Sequence, residues 1–375
     1  MPELNASAHT AVVADPAAPA TPPAAAAPDP FIPARPWTGA HPPRRVLAIR
    51  LQAMGDVVIS LAYLQRLREQ LPPGTRIDFL VRKESYPIPA NLRLFDRVFV
   101  IGGGRRFKLQ LLLSLFLLPV LLARRYDMVL DVQNSPISRL VRRVLRPRAW
   151  SQFDKRSTRP AGERTRLTIE AAGLPFNPPS PALVWRSDLG ARALLTRHGW
   201  NGTDPLFVLN PGGAFASRHW PEEYYVRFAR LWAQAFPETR FLFLGIGRMA
   251  AVATRLEAEI GERVINLVGR TTPAQAFVLV QKASFVLSED SGLMHMAWVC
   301  GAPTLALFGG SRSDWARPLG PHSAYLDGTG LDCAPCLRET CRFGDVRCLT
   351  QHTPEKVLSL ALSLVRTAGV LRVAE

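Results

Sequence analysis

Three short stretches combine residues able to handle protons or phosphates with a strand–turn–helix setting that would aim them. Met54-Gly55-Asp56 follows the apolar run 46–51. Its glycine permits a sharp turn, and Asp56 falls where a helix begins. Asp56 therefore reads either as the cap of that helix or as a general base at the mouth of a sheet. The second stretch, 210–221, again follows a strand and opens a helix, with Pro221 in the first turn and Glu222 and Glu223 just inside it. Gly212 and Gly213 would let a ligand approach the backbone, and Arg218 could neutralise a phosphate through its planar guanidinium; a solvated arginine on a structural loop is the plain alternative. In the third, Ser288 to His295, residues Asp290, Ser291 and Gly292 would lie at a helix N-terminus, whose free N–H groups suit a pyrophosphate. His295 follows about one turn in, close enough to add a donor.

A fourth cluster has a different chemistry. Cys333-x2-Cys336-x4-Cys341-x6-Cys348 is compact enough for a structural, tetrahedral zinc ion, with free thiols in a packed loop as the other reading. Cys300 reads as core. Four of five cysteines crowded into one short segment do not suggest a secreted disulfide scaffold.

These residues need rigid elements to hold them. Short apolar strands are expected at 46–51, 76–83, 97–102 and 127–133, then at 206–213, 241–247, 264–269, 285–292 and 303–310, with helices between most of them. That alternation predicts an α/β protein with parallel sheets covered on both faces. The rhythm breaks between Arg142 and Arg166 and then restarts, so two domains are expected, 44–185 and 186–375, the second closed by a helix over 353–369. A ligand would bind between them at the carboxyl ends of the strands. Residues 1–43 are rich in Ala and Pro, cannot bury enough apolar surface to offset ordering entropy, and are expected to be a disordered tail. With 375 residues and 47% hydrophobic content the remainder can build a sizeable core.

Taken in order, the three stretches resemble glycosyltransferase family 9, the ADP-heptose:lipopolysaccharide heptosyltransferases. The matching pieces are VLAIRLQAMGDVVISL, VLNPGGAFASRHWPEEYY, FLFLGIG, NLVGRTT, VLSEDSGLMHMAWVCGAPTLALFG and the Cys-rich CAPCLRETC, so the resemblance runs from about Arg44 to the end. It implies a GT-B fold, two Rossmann-like domains facing across a cleft. It also implies inverting transfer of heptose from ADP-heptose to the lipopolysaccharide inner core with no catalytic metal. By position, Asp56 would be the base that deprotonates the acceptor hydroxyl. Gly213, Ala214 and Arg218 would meet the donor's phosphates, Thr271 its adenosine, and Asp290, Ser291, Gly292 and His295 would hold the ADP-sugar. The chain departs from the family pattern twice, with Arg218 in place of lysine and with Gly213-Ala214 lacking a threonine hydroxyl. A GT-B enzyme using another nucleotide sugar, and a catalytically silent nucleotide-sugar-binding protein at a membrane, are the competing readings.

Charge and hydropathy point to partners. Lys and Arg number 46 against 30 Asp and Glu, a net +16, concentrated in Arg142–Arg166. No nucleic-acid module accompanies this stretch, so no nucleic-acid partner is expected; it reads as a solvated face or as the landing place of an anionic lipid-linked saccharide. The segment 109–123 is apolar nearly all round and flanked by Arg105, Arg106, Lys108, Arg124 and Arg125. It is too short to span a bilayer, and reads as a helix packed under the first sheet or as one lying on a membrane surface. With no signal-peptide pattern at the start, the expected location is cytoplasmic, peripheral on the inner face of the inner membrane.

Overall fold

The computed structural model describes residues 32–369 apart from Arg105 and Phe176. Most of the expected tail, residues 1–31, lies outside the described residues.

The first half contains β1 (Ala34–Arg35), β2 (Arg45–Ile49), α1 (Met54–Gln70), β3 (Arg76–Arg82), α2 (Pro87–Ala90), β4 (Arg97–Ile101), α3 (Phe107–Ala123), β5 (Met128–Asp131), α4 (Pro136–Leu145), β6 (Ala149–Gln152) and α5 (Ala161–Ala171). The second contains α6 (Ala191–Arg197), β7 (Leu206–Asn210), α7 (Glu222–Ala235), β8 (Arg240–Phe243), α8 (Ala250–Ile260), β9 (Val264–Asn266), α9 (Pro273–Gln281), β10 (Phe285–Glu289), α10 (Gly292–Val299), β11 (Thr304–Leu307), α11 (Ser313–Ala316), β12 (Ser323–Leu326), α12 (Arg347–Thr350) and α13 (Pro354–Ala368).

Each half is built on a six-stranded sheet, in the orders β1-β6-β5-β2-β3-β4 and β12-β11-β10-β7-β8-β9. Every pairing is parallel except β1 with β6. Strand order reverses between β2 and β5 in one sheet and between β7 and β10 in the other. At such points adjacent connections leave in opposite directions and open a crevice beyond the strand ends. The stretches around Asp56, Asn210 and Asp290 all leave from these four strands. Continuous burial of the central strands, for instance Val46–Ile49 and Leu206–Asn210, is what helices on both faces require.

Helix starts follow their sequences. Thr272 caps α9 in a reciprocal box with Gln275, with Pro273 in the first turn, and Thr353 caps α13 through the N–H of Lys356. The largest apolar core runs through both halves: Leu61 and Leu64 of α1 belong to the same cluster as Met296 and Trp298 of α10.

Two expectations need correcting. The tail does not extend to residue 43. Ile32 is buried, β1 pairs antiparallel with β6, and the Trp37 N–H reaches the Ala172 carbonyl. The rhythm break at 142–166 hides β6 and the start of α5. The 109–123 segment, read either as packed under the sheet or as lying on a membrane, is helical and continues through Pro119; it packs on the sheet through Leu118 and Leu121 and leaves its opposite side exposed.

Candidate functional site at the two sheet mouths

The chain leaving β2 is tied down from β5. Gln133 Oε1 accepts from the N–H groups of Leu51 (2.8 Å) and Gln52 (3.0 Å), which fixes the turn into α1. Asp56 then does two things. Its Oδ2 accepts the Ala53 N–H at 3.0 Å, capping α1, and its Oδ1 pairs with the Arg50 guanidinium at 2.9 Å. Arg50 is itself buried, donates to the Val132 carbonyl and lies over the Phe153 ring at 4.7 Å. Arg164 covers the same ring at 5.1 Å, and burial lowers its pKa against the pull of Asp56. The carboxylate thus caps and also sits, half-exposed, in a fixed cationic frame.

His295 of α10 faces this turn from the other half. Its Nδ1 accepts from Trp298 Nε1 at 3.2 Å, which leaves Nε2 to carry the proton in the neutral ring. Burial holds its pKa below the ordinary histidine value, opposed by Asp290 and Asp56. The ring is therefore a neutral donor whose edge lies against Gly55.

Around α10 the second half assembles a pocket of hydroxyls and backbone. Buried Asn210 donates to Ser288 Oγ (2.8 Å) and Ser291 Oγ (2.7 Å), and Ser291 caps α10. Asn210 Oδ1 has no partner among the described residues and would stand 2.4 Å from a β-carbon on Gly212, so any side chain there would displace the Asn210 amide. A cavity of about 390 Å³ opens here. It is lined by Gly55, Gly212, Arg248, Thr271, Ser291 and Gly292, with Ile246, Met249, Leu293 and Met296 as apolar walls. Its size and mixed lining suit a nucleotide-sized ligand, and α10 presents its N-terminus to it.

The structure brings Thr271, Ser291 and Gly292 together at this cavity and sets His295 and Asp56 beside it. Arg218 and Asp290 pair with each other at 2.9 Å. Gly213 and Ala214 do not line the cavity. The Gly213 N–H is donated to Glu289 Oε2 at 2.8 Å, and the carbonyls of both residues accept from Arg248 at 3.3 and 3.2 Å.

Two residues that sequence reasoning passed over hold this loop. Glu289 is fully buried and also accepts from the Trp220 N–H (2.7 Å), His219 Nδ1 (2.9 Å) and Tyr225 Oη (3.2 Å). Its bond to His219 raises that ring's pKa, and burial beside the carboxylate drives the Tyr225 hydroxyl well above its usual value. Arg248 brings a guanidinium to the cavity from the turn after β8. Its only signal was an arginine following the glycines of FLFLGIG.

On the first half a second cavity, about 810 Å³, is lined by Asn134, Arg139, Lys155, Arg156 and Arg159. Burial, with Arg50 and Arg139 nearby, lowers the Lys155 pKa.

The cysteines read as a possible zinc site or as free thiols, Cys333, Cys336, Cys341 and Cys348, are brought to one place. The four cysteines line one cavity of about 230 Å³, and burial together with Cys336 and Cys341 pushes the Cys348 thiol up to about 11. Yet among the described residues no three His, Cys, Asp or Glu side chains are grouped closely enough to hold an ion. The spacing thus brings the four thiols to a common space.

The sequence model described as glycosyltransferase family 9 (heptosyltransferase) matches residues 117–347, more than half of the chain. The chain belongs to glycosyltransferase family 9. This family 9 chain is 25% identical over 378 residues to lipopolysaccharide heptosyltransferase 1 of Pseudomonas aeruginosa, an alignment covering 88% of this chain and 100% of the relative. In fold it matches a family 9 glycosyltransferase from Veillonella parvula with a TM-score of 0.72 at 18% identity, covering 86% of this chain and 97% of the other. It also matches the E. coli heptosyltransferase WaaC, solved with ADP-2-deoxy-2-fluoro heptose, with a TM-score of 0.59 at 19% identity, covering 85% and 99%. The two facing sheets are those of a GT-B glycosyltransferase.

Proposed function

We propose that this glycosyltransferase moves heptose from ADP-heptose to the inner core of lipopolysaccharide, with inversion, at the cytoplasmic face of the inner membrane. The observation that carries the reading is the opposition of Asp56 and His295 beside the nucleotide-sized cavity. The names of the similar proteins, a lipopolysaccharide heptosyltransferase and an enzyme solved with an ADP-heptose analogue, support the choice of sugar and nucleotide.

ADP would lie against Thr271 and the apolar walls with its diphosphate toward the N-terminus of α10. The acceptor hydroxyl would attack the anomeric carbon from the side opposite the diphosphate. Its proton passes to Asp56 as the new C–O bond forms. The bond from the anomeric carbon to the β-phosphate oxygen breaks, and its electron pair leaves with ADP. Such a centre develops oxocarbenium character, so the growing phosphate charge must be met by fixed donors. The α10 N–H groups and Arg248 would supply them from the cavity wall, with the His295 Nε2–H beside it, and Arg218 would join them by turning from the Asp290 carboxylate it now pairs with. The basic cavity around Arg139 and Lys155 would take the acidic groups of the lipid-linked acceptor.

The deciding experiment is turnover of purified protein with ADP-heptose and an isolated inner-core acceptor, in EDTA. Release of ADP coupled to acceptor glycosylation supports the reading. Transfer from UDP- or GDP-sugars in preference to ADP-heptose refutes the donor assignment.

A further inference from the structure

Helix α3 carries an apolar face that nothing among the described residues covers. Leu109, Leu112, Leu113, Phe116 and Val120 are all exposed, Phe116 at 73%. Their spacing of three, four, seven and eleven residues puts them on one side of the helix, opposite Ser114, Leu118 and Leu121, which face the sheet. A contiguous stripe of large apolar side chains in water is costly and marks an interaction surface. The helix has 17 residues, and no helix among the described residues is long and apolar enough to cross a membrane.

The chain segments that carry and flank the stripe are cationic, the nearby Glu84 being paired with Arg82. No Asp or Glu occurs between Asp96 and Asp127, nor between Asp131 and Asp154. Arg106 and Lys108 stand exposed at one end of α3 and Arg125 at the other. Helix α4, packed beside α3, adds exposed Arg143 and Arg146. None of these five has a carboxylate partner among the described residues, whereas Arg124 and Arg142, which face inward, pair with Asp78 and Asp131. The chain has therefore neutralised the arginines that point into the fold and left without a carboxylate those exposed at the ends of α3 and on the neighbouring α4. Because β2, β3 and β4 are parallel, α3 begins at the same sheet edge from which Asp56 rises.

We infer that α3 is an interfacial anchor. Its Leu109–Val120 stripe enters the acyl boundary of an anionic phospholipid bilayer while the arginines of α3 and α4 meet the headgroups. The exposed cations at both ends of α3 and on α4 select a bilayer over a second copy of this chain, which would bring like charges together beside the same stripe. The inference rests on the function proposed above only for what the bilayer holds, a lipid-linked acceptor; it places the first-half cavity and Asp56 toward the membrane.

The test uses the full chain and vesicles of phosphatidylglycerol with phosphatidylethanolamine, against phosphatidylcholine alone. Binding to the anionic vesicles is expected at low salt, falling several-fold as salt rises, with little binding to phosphatidylcholine. The variant Leu112→Ser/Phe116→Ser/Val120→Ser should lose vesicle binding about tenfold or more while its thermal transition stays unchanged, because all three side chains are exposed. Arg143→Glu/Arg146→Glu should lose the salt-sensitive part. A wild-type chain that ignores anionic vesicles overturns the inference, as does a dimer abolished by the serine variant without any vesicle binding, or a serine variant that melts far below wild type. Transfer to a water-soluble, acyl-free acceptor separates the two proposals. The serine variant keeps that activity if the anchor is right, and a chain that binds vesicles but transfers to no acceptor fails on function alone.

Discussion

A β-carbon on Gly55 would stand 2.8 Å from Cδ2 of His295. The helix that carries the proposed base thus meets the His295 imidazole of α10 through bare backbone, closer than a β-carbon allows without one of them shifting. Gly55→Ala is expected to push α1 from α10, destabilising the fold by about 1–3 kcal/mol and lowering kcat more than it raises KM for the donor. Steady-state kinetics beside a thermal melt checks this; unchanged kcat would show that the spacing is irrelevant to transfer.

Asp56→Asn keeps an oxygen for the Ala53 N–H but cannot take a proton or pair with Arg50. Transfer should fall by two orders of magnitude or more, while ADP affinity by calorimetry stays within a few-fold. Near-normal turnover would reduce Asp56 to a helix cap.

Removal of either guanidinium at the donor site should be felt in binding. Arg218→Ala is expected to weaken ADP by about 1.5–3 kcal/mol, the scale of a charge-assisted hydrogen bond. Arg248→Ala should do the same and also loosen the Gly213–Ala214 turn. Calorimetry on both variants decides it, and unchanged ADP affinity would place the diphosphate elsewhere.

Glu289→Ala strips the acceptor from two backbone N–H groups, one imidazole and one hydroxyl, all of them held in or beside the core. Each donor left unsatisfied in the interior costs about 1–3 kcal/mol. The denaturation midpoint should drop accordingly, with donor binding lost even where the chain stays folded. A midpoint near wild type would mean that water replaces the carboxylate.

The histidines give the stability a pH dependence of opposite signs. Burial depresses the His295 pKa below its usual 6.5, so the unfolded chain takes up that proton first as the medium acidifies. Its contribution is complete above about 6.5 and shrinks as pH falls from there toward the depressed value. His219 is raised by Glu289, so its contribution is complete below 6.5 and fades as pH climbs through the raised value. Denaturant melts from pH 5 to 8 should show His295→Gln flattening the acid side of the profile and His219→Gln the neutral side. Parallel profiles for wild type and both variants would contradict this assignment.

Much of the architecture could be read from the chain because parallel strands buried on both faces announce themselves as unbroken apolar runs, as at Val46–Ile49 and Leu206–Asn210. What escaped was short or partnered from afar. Ala149–Gln152 is four residues long, preceded by Arg-Pro-Arg, and its neighbour β1 is only Ala34–Arg35 inside an Ala/Pro-rich segment; neither offers a period to detect. Glu289 stood within a quoted motif, but the groups it organises lie 64 to 76 residues earlier, so its role exists only in three dimensions. The face of α3 was hidden for the opposite reason. A helix apolar all round gives no amphipathic signal, and only its packing shows which side is left over.

The β1–β6 pair bears on how the chain can be shortened. A boundary drawn at Arg44 by composition would remove Ala34–Arg35 from β6, along with the Arg35 bond to the Pro147 carbonyl (2.6 Å). Strand β6 would then end its sheet with unpaired N–H and C=O groups open to any extended segment that passes. Such a truncation, chosen to improve solubility, would manufacture an adhesive edge, and its precipitation would be mistaken for a defect of the catalytic half.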